Sequence, residues 1–149
     1  MSIHNSVRFP QFLNLLAAFS LLVTSARADW PAFRHDAERT GYTAEALPIK
    51  LSLQWERHTA KPQPAWPRSS RMTFDFAHQP IASGNMIWFG SSVDGAVHAL
   101  DAKTGHRKWM FFTQSPIRFA PVHWEGALYV GSDDGYLYCL DAATGKPRW

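Results

Sequence analysis

The 149-residue chain is 46% hydrophobic, 14% aromatic and 18% charged, and its formal net charge is +3. Arg8 and Arg27 fall in the first 28 residues, which hold no Asp or Glu, so the rest of the chain carries only +1. That near-neutral balance excludes nucleic-acid binding driven by backbone charge, and a single cysteine, Cys139, excludes an internal disulfide.

The first predicted element is a targeting segment. Arg8 gives a weakly positive start, Phe12 to Val23 is an apolar stretch of twelve residues, and Ala26-Arg27-Ala28 has the small-x-small form of a cleavage site. Twelve residues are too few to span a bilayer as a helix. Residues 1–28 are therefore expected to be a signal peptide cleaved after Ala28, leaving a periplasmic or secreted protein with no transmembrane segment.

Further along, residues 57–79 form a connection longer than most loops between strands. Lys61-Pro62-Gln63-Pro64-Ala65-Trp66-Pro67-Arg68 precedes Ser69-Ser70-Arg71, so the stretch is basic and rich in proline. It reads as an extended spacer. The functional alternative is a lip that receives an anionic or aromatic partner.

The C-terminal half states one pattern twice. Gly95, Asp101, Gly105 and Trp109 recur 40 positions later as Gly135, Asp141, Gly145 and Trp149, whereas Pro80 and Gly90 recur after 41 as Pro121 and Gly131. One residue is thus inserted in the first copy just before Asp94. Each copy holds short β-branched and aromatic runs, Met86 to Phe89 and Ala127 to Val130, followed by Asp94-Gly95 or Asp134-Gly135, read as two-residue hairpin tips. The strands leaving those tips, Ala96 to Leu100 and Tyr136 to Leu140, are apolar enough to be buried on both faces. A second turn follows at Asp101 to Gly105 and at Asp141 to Gly145, and Arg107-Lys108-Trp109 alternates as a half-exposed outer strand should.

With the short segments at Pro80-Ile81-Ala82 and Pro121-Val122-His123, each copy predicts four antiparallel strands and no helix. The fold class is all-β: a β-propeller of four-stranded blades, with repeats over about 80–120 and 121–149 in a domain of 29–149. A ring needs about four to eight blades to close. One first strand, one blade and three strands of a second are therefore expected to be the N-terminal piece of a longer propeller, whose remaining blades are its partners.

The turn sequence makes a family resemblance specific. Ala99, Asp101, Thr104, Gly105 and Trp109 resemble the tryptophan-docking motif of the pyrroloquinoline-quinone (PQQ) repeat propellers, and Cys139, Asp141, Thr144, Gly145 and Trp149 repeat it with cysteine in place of alanine. The resemblance implies that each tryptophan packs on the equivalent turn of a neighbouring blade and bonds a main-chain carbonyl there. Asp29-Trp30-Pro31, Phe33-Arg34, Asp36 and Arg39-Thr40-Gly41 are similar to the leading segment of exported members, and Leu47 to Trp55 resembles a first outer strand that would complete the last blade.

No catalytic, metal or cofactor residue emerges. The resemblance implies PQQ only for those members that add a calcium site, a catalytic aspartate and often two adjacent cysteines, so no cofactor is expected here. His35, His58, His78, His98, His106 and His123 show no His-x-His or His-x-x-x-His spacing. His98 reads as a hydrogen-bonded core residue and Cys139 as a small hydrophobe. The expected function is a non-catalytic exported scaffold or binding module, with an envelope protein as a candidate partner. The alternative is the N-terminal piece of a PQQ-dependent quinoprotein oxidoreductase.

Overall fold

Among the described residues, seven short strands arrange as two antiparallel sheets packed face to face. The computed structural model describes residues 29–62 and 77–149; the predicted signal peptide and residues 63–76 of the long connection lie outside the described residues. The first sheet runs in the order β1 (Ile81–Ser83), β2 (Met86–Gly90), β3 (Ala96–Asp101), β4 (Arg107–Phe112). The second holds β5 (Val122–Trp124), β6 (Ala127–Gly131) and β7 (Leu137–Asp141). The described residues are all-β, as the sequence predicts, and the strand order within each sheet follows the chain.

Register explains why the motif asks for a small residue at position 99. Directly opposed residues of an antiparallel pair share a face. Ile81 opposes Trp88, Trp88 opposes Ala99, and Ala99 opposes Trp109. Ala99 therefore sits between two indoles, and a larger side chain there would push them apart. Cys139 occupies the same place in the second sheet, opposite Tyr129.

One core joins the sheets: Ile81, Trp88, Val97 and Ala99 from the first meet Leu128, Val130, Leu140 and Ala142 from the second, with Ile117 of the connecting loop between them. Aromatic contacts reinforce the seam. Trp88 stacks on His123 with ring centroids 5.1 Å apart, and Phe111 meets the edge of Tyr138 at 5.5 Å.

The chain's leading segment ties the two sheets at their inner edges. Trp30 pairs with Ala82 through two backbone bonds of 2.7 and 2.9 Å, and the His123 amide donates to the Pro31 carbonyl at 2.8 Å. The Asp29 carboxylate accepts from the Gly84 amide at 2.8 Å and the Ser83 hydroxyl at 3.2 Å. Free strand edges are ready to pair with other chains, and this segment covers part of both.

Three expectations are corrected. The Asp-Gly tips are not two-residue turns, because the paired positions Gly90–Val97 and Gly131–Leu137 enclose longer loops. Only Gly95 and Gly135 take positive φ in those loops; the aspartates use their side chains instead, accepting from the Ala96 amide at 3.3 Å and the Tyr136 amide at 2.9 Å. Second, β3 is buried throughout, but Tyr136 and Leu137 are exposed at the start of the matching stretch. β3 has the second sheet on one side and residues 57–60 near the other, whereas among the described residues no third sheet stacks beyond the second. Third, Leu47 to Trp55 forms no strand, and Leu47, Ile49, Leu51 and Leu53 are all exposed. A strand needs a ladder, and no described strand lies alongside this stretch.

Candidate functional site

The two Asp-x-x-Thr-Gly turns are built by the same hydrogen bonds. The Asp101 Oδ1 accepts from the Lys103 and Thr104 amides, both at 3.0 Å, and from the Thr104 hydroxyl at 3.1 Å. The Gly105 amide donates to the Asp101 carbonyl at 2.8 Å, which requires the left-handed conformation that Gly105 adopts at φ +69°. In the second turn the Asp141 Oδ1 takes the Thr144 amide at 3.0 Å and its hydroxyl at 2.8 Å, and Gly145 sits at φ +73°.

The second carboxylate oxygen of each aspartate faces a cation. Asp101 Oδ2 receives Lys108 at 3.2 Å and the Asn85 amide nitrogen at 2.9 Å, while Asp141 Oδ2 receives Arg148 at 2.8 Å. The Lys108 hydrogen bond, helped by the Thr104 and Lys103 donors against the effect of burial, holds the Asp101 pKa down to about 2. Arg148 and then Thr144 do the same for Asp141, also to about 2.

The ordinary value for both is 3.8. Because the folded-state pKa is depressed, the stabilisation is present above about pH 4 and is lost as the pH falls towards 2. Urea midpoints measured across that window should drop on acidification. Asp101→Asn should flatten part of the acid limb, and an unchanged limb would show that the turn carboxylates do not couple folding to pH.

Each glycine of these turns lies under an indole. A Cβ placed on Gly145 would stand 2.5 Å from Cε3 of Trp109, and the Trp109 Nε1 donates to the Ala142 carbonyl at 3.1 Å. The Trp88 Nε1 donates to the same carbonyl, also at 3.1 Å. Trp109 thus leaves the first sheet and lies on the turn of the second.

Trp149 is 65% exposed, and its carbonyl accepts from the Cys139 amide at 3.1 Å. Ala99 and Cys139 are both buried. Among the described residues no group of three or more His, Cys, Asp or Glu is placed to hold a metal ion.

Two participants escape the sequence reading. Trp55 lies over Gly105, where a Cβ would come within 2.6 Å of its Cε3, and its Nε1 donates to the Ala102 carbonyl at 2.9 Å. It does on the first turn what Trp109 does on the second. Its signal was the indole at the end of Leu51-x-Leu53-x-Trp55, but Trp55 precedes Trp109 by 54 positions whereas Trp109 precedes Trp149 by 40, so the long connection breaks the period. Trp88 carried no signal beyond being an aromatic residue in an apolar strand.

A four-stranded antiparallel sheet of about 32 residues, fastened face to face to the next by an indole laid on a glycine turn, is a propeller blade. A family model described as outer membrane protein assembly factor BamB matches residues 94–149. The quinohemoprotein alcohol dehydrogenase of Comamonas testosteroni is 29% identical over 137 residues, which are 81% of this chain and 18% of that protein. Its crystal structure superposes with a TM-score of 0.61 at 26% identity, covering 81% of this chain and 19% of that one. The human beta-alanine-activating enzyme is 30% identical over 100 residues, 67% of this chain and 8% of that protein. Residues 94–149 thus match a PQQ-like repeat and the described residues have the fold of a partial β-propeller, while the chain spans less than a fifth of the length of these curated relatives.

Proposed function

We propose that the chain contributes blades to an exported propeller that serves as a non-catalytic scaffold or binding module. The observation that carries this reading is what the motif side chains are used for. Both carboxylate oxygens of Asp101 and of Asp141, both threonine hydroxyls and the indole nitrogens of Trp55 and Trp109 all bond within or between blades. These residues do not fit a quinone, because none presents a free polar atom to one. Relatives with such different printed activities as an alcohol dehydrogenase, a beta-alanine-activating enzyme and an assembly factor are consistent with a repeat that builds a frame and leaves chemistry to other residues.

Export is supported by the apolar run and the Ala26-Arg27-Ala28 site. No helix among the described residues is long and apolar enough to cross a membrane. A second reading, a segment of a PQQ-dependent oxidoreductase, is favoured by the likeness to the Comamonas testosteroni enzyme over 81% of the chain.

The two readings separate in one titration. Protein expressed in a bacterial host, with the product expected to begin at Asp29 by intact mass, is mixed with PQQ and calcium while tryptophan fluorescence and dye reduction with a primary alcohol are followed. The scaffold reading expects no saturable quenching and no dye reduction. Saturable binding with alcohol-dependent reduction would establish the second reading in its place.

A further inference from the structure

A cleft of about 230 Å³ lies between residues 57–60 and the β2–β3 hairpin, away from the tryptophan turns. Two imidazoles line it, and each has a buried ring nitrogen with no hydrogen-bond partner: Nδ1 of His98 and Nε2 of His78. The Phe89 ring contacts both. His98 stacks on it with centroids 4.8 Å apart and planes 4° from parallel, and His78 lies 5.1 Å away at 49°. Buried polar atoms are nearly always paired, so two orphans in one cleft call for an explanation.

The tautomer of His98 follows from its neighbour. Its Nε2 is 2.9 Å from Asp94 Oδ2. Burial works to raise the Asp94 pKa, but the Ser91 hydroxyl and His98 outweigh it and keep the carboxyl below its usual range, so it is an acceptor. Burial lowers the His98 pKa against the Asp94 charge and hydrogen bond that raise it, which favours the neutral ring. A neutral ring that donates from Nε2 carries a bare lone pair on Nδ1. The group that satisfies this atom must bring an O–H or N–H.

The rim adds a charge. Arg57 is exposed, forms no salt bridge among the described residues, and its positive field is felt at His98. A guanidinium with no carboxylate partner among the described residues, beside a small cleft, suits a carboxylate, which it can grip with two parallel bonds.

We propose that this cleft binds a small hydroxy- or amino-carboxylate, its carboxylate on Arg57 and its hydroxyl or amine donating to Nδ1 of His98. The site requires no quinone and stands whichever way the PQQ titration falls.

The test follows the ring nitrogens of His98 by NMR in the folded protein that begins at Asp29, with L-lactate as the probe. Acetate offers only the carboxylate and propan-2-ol only the hydroxyl. L-lactate should move the His98 Nδ1 resonance towards that of a hydrogen-bonded acceptor and bind about tenfold tighter than either fragment. Arg57→Gln, at an exposed position, should weaken L-lactate by about tenfold. His98→Phe keeps a ring against Phe89, removes the acceptor and should abolish the preference for L-lactate over acetate.

Equal affinity for L-lactate and acetate would reduce the site to a bare anion contact and overturn the proposal. So would a His98 resonance that moves no more than that of the exposed His106, or an Arg57→Gln chain that binds as well as the parent. The last two readouts decide the matter even if His98→Phe does not fold.

Discussion

Trp88→Ala is expected to lower the unfolding free energy by about 3–5 kcal/mol, and Trp109→Ala by an amount near the lower end of that range. Trp88 is 2% exposed, packs between the sheets against His123, and opposes both Ile81 and Ala99. Trp109 is half-buried and spans the seam to Gly145. Trp149, 65% exposed, provides the contrast: Trp149→Ala should stay within about 0.5 kcal/mol.

The shared acceptor gives a sharper outcome. Both indoles donate to the Ala142 carbonyl, so Trp88→Phe or Trp109→Phe alone leaves that oxygen one partner. The double variant leaves it none. A coupling of about 0.5–3 kcal/mol beyond the sum of the single effects is expected from urea unfolding. Strict additivity, or equal small losses at positions 88, 109 and 149, would remove the reason for regarding the seam as a fastening.

Gly145→Ala and Gly105→Ala should each destabilise by about 3 kcal/mol, the sum of two separate penalties. A side chain in the left-handed region costs about 1–2 kcal/mol. Overpacking adds a further ~1–3 kcal/mol, since the new Cβ would fall 2.5 Å from Trp109 or 2.6 Å from Trp55. Gly135→Ala isolates the first penalty, because Gly135 sits at φ +87° and a methyl there would meet nothing within 4 Å. Its loss should therefore stop at about 1–2 kcal/mol. Comparable losses at all three glycines would mean that the indoles yield and that the turns are not tightly covered.

The parts of this architecture that were legible are those whose physics is local. An aspartate three residues before a threonine, with glycine next, can satisfy its own turn by side-chain bonds whatever surrounds it, so Asp101 to Gly105 and Asp141 to Gly145 announce themselves. Strand positions from Met86 to Val130 were visible for a similar reason, in runs of β-formers closed by glycine. What stayed hidden depends on distant chain. Trp55 meets Gly105 only after the long connection has been crossed, and Trp88 looks like any strand aromatic until Ala142 arrives beside it. The hairpin tips escape a local reading because Asp-Gly suits two loop shapes, and the extra residue before Asp94 alters loop length without altering the dipeptide. His98 was half legible: it is a buried, hydrogen-bonded core residue at Nε2, yet nothing in the local sequence says that Nδ1 has no partner.

The leading segment has a topological consequence. Trp30 makes its backbone bonds with Ala82, 52 residues later, and Pro31 with His123, 92 residues later. Repeats suggest modules that could be exchanged or added one at a time, as beads on a string. Here a stitch placed at the start of the thread passes through two beads. Neither can be lifted out without undoing it, and so the boundary that repetition draws between blades is not a boundary between separable units.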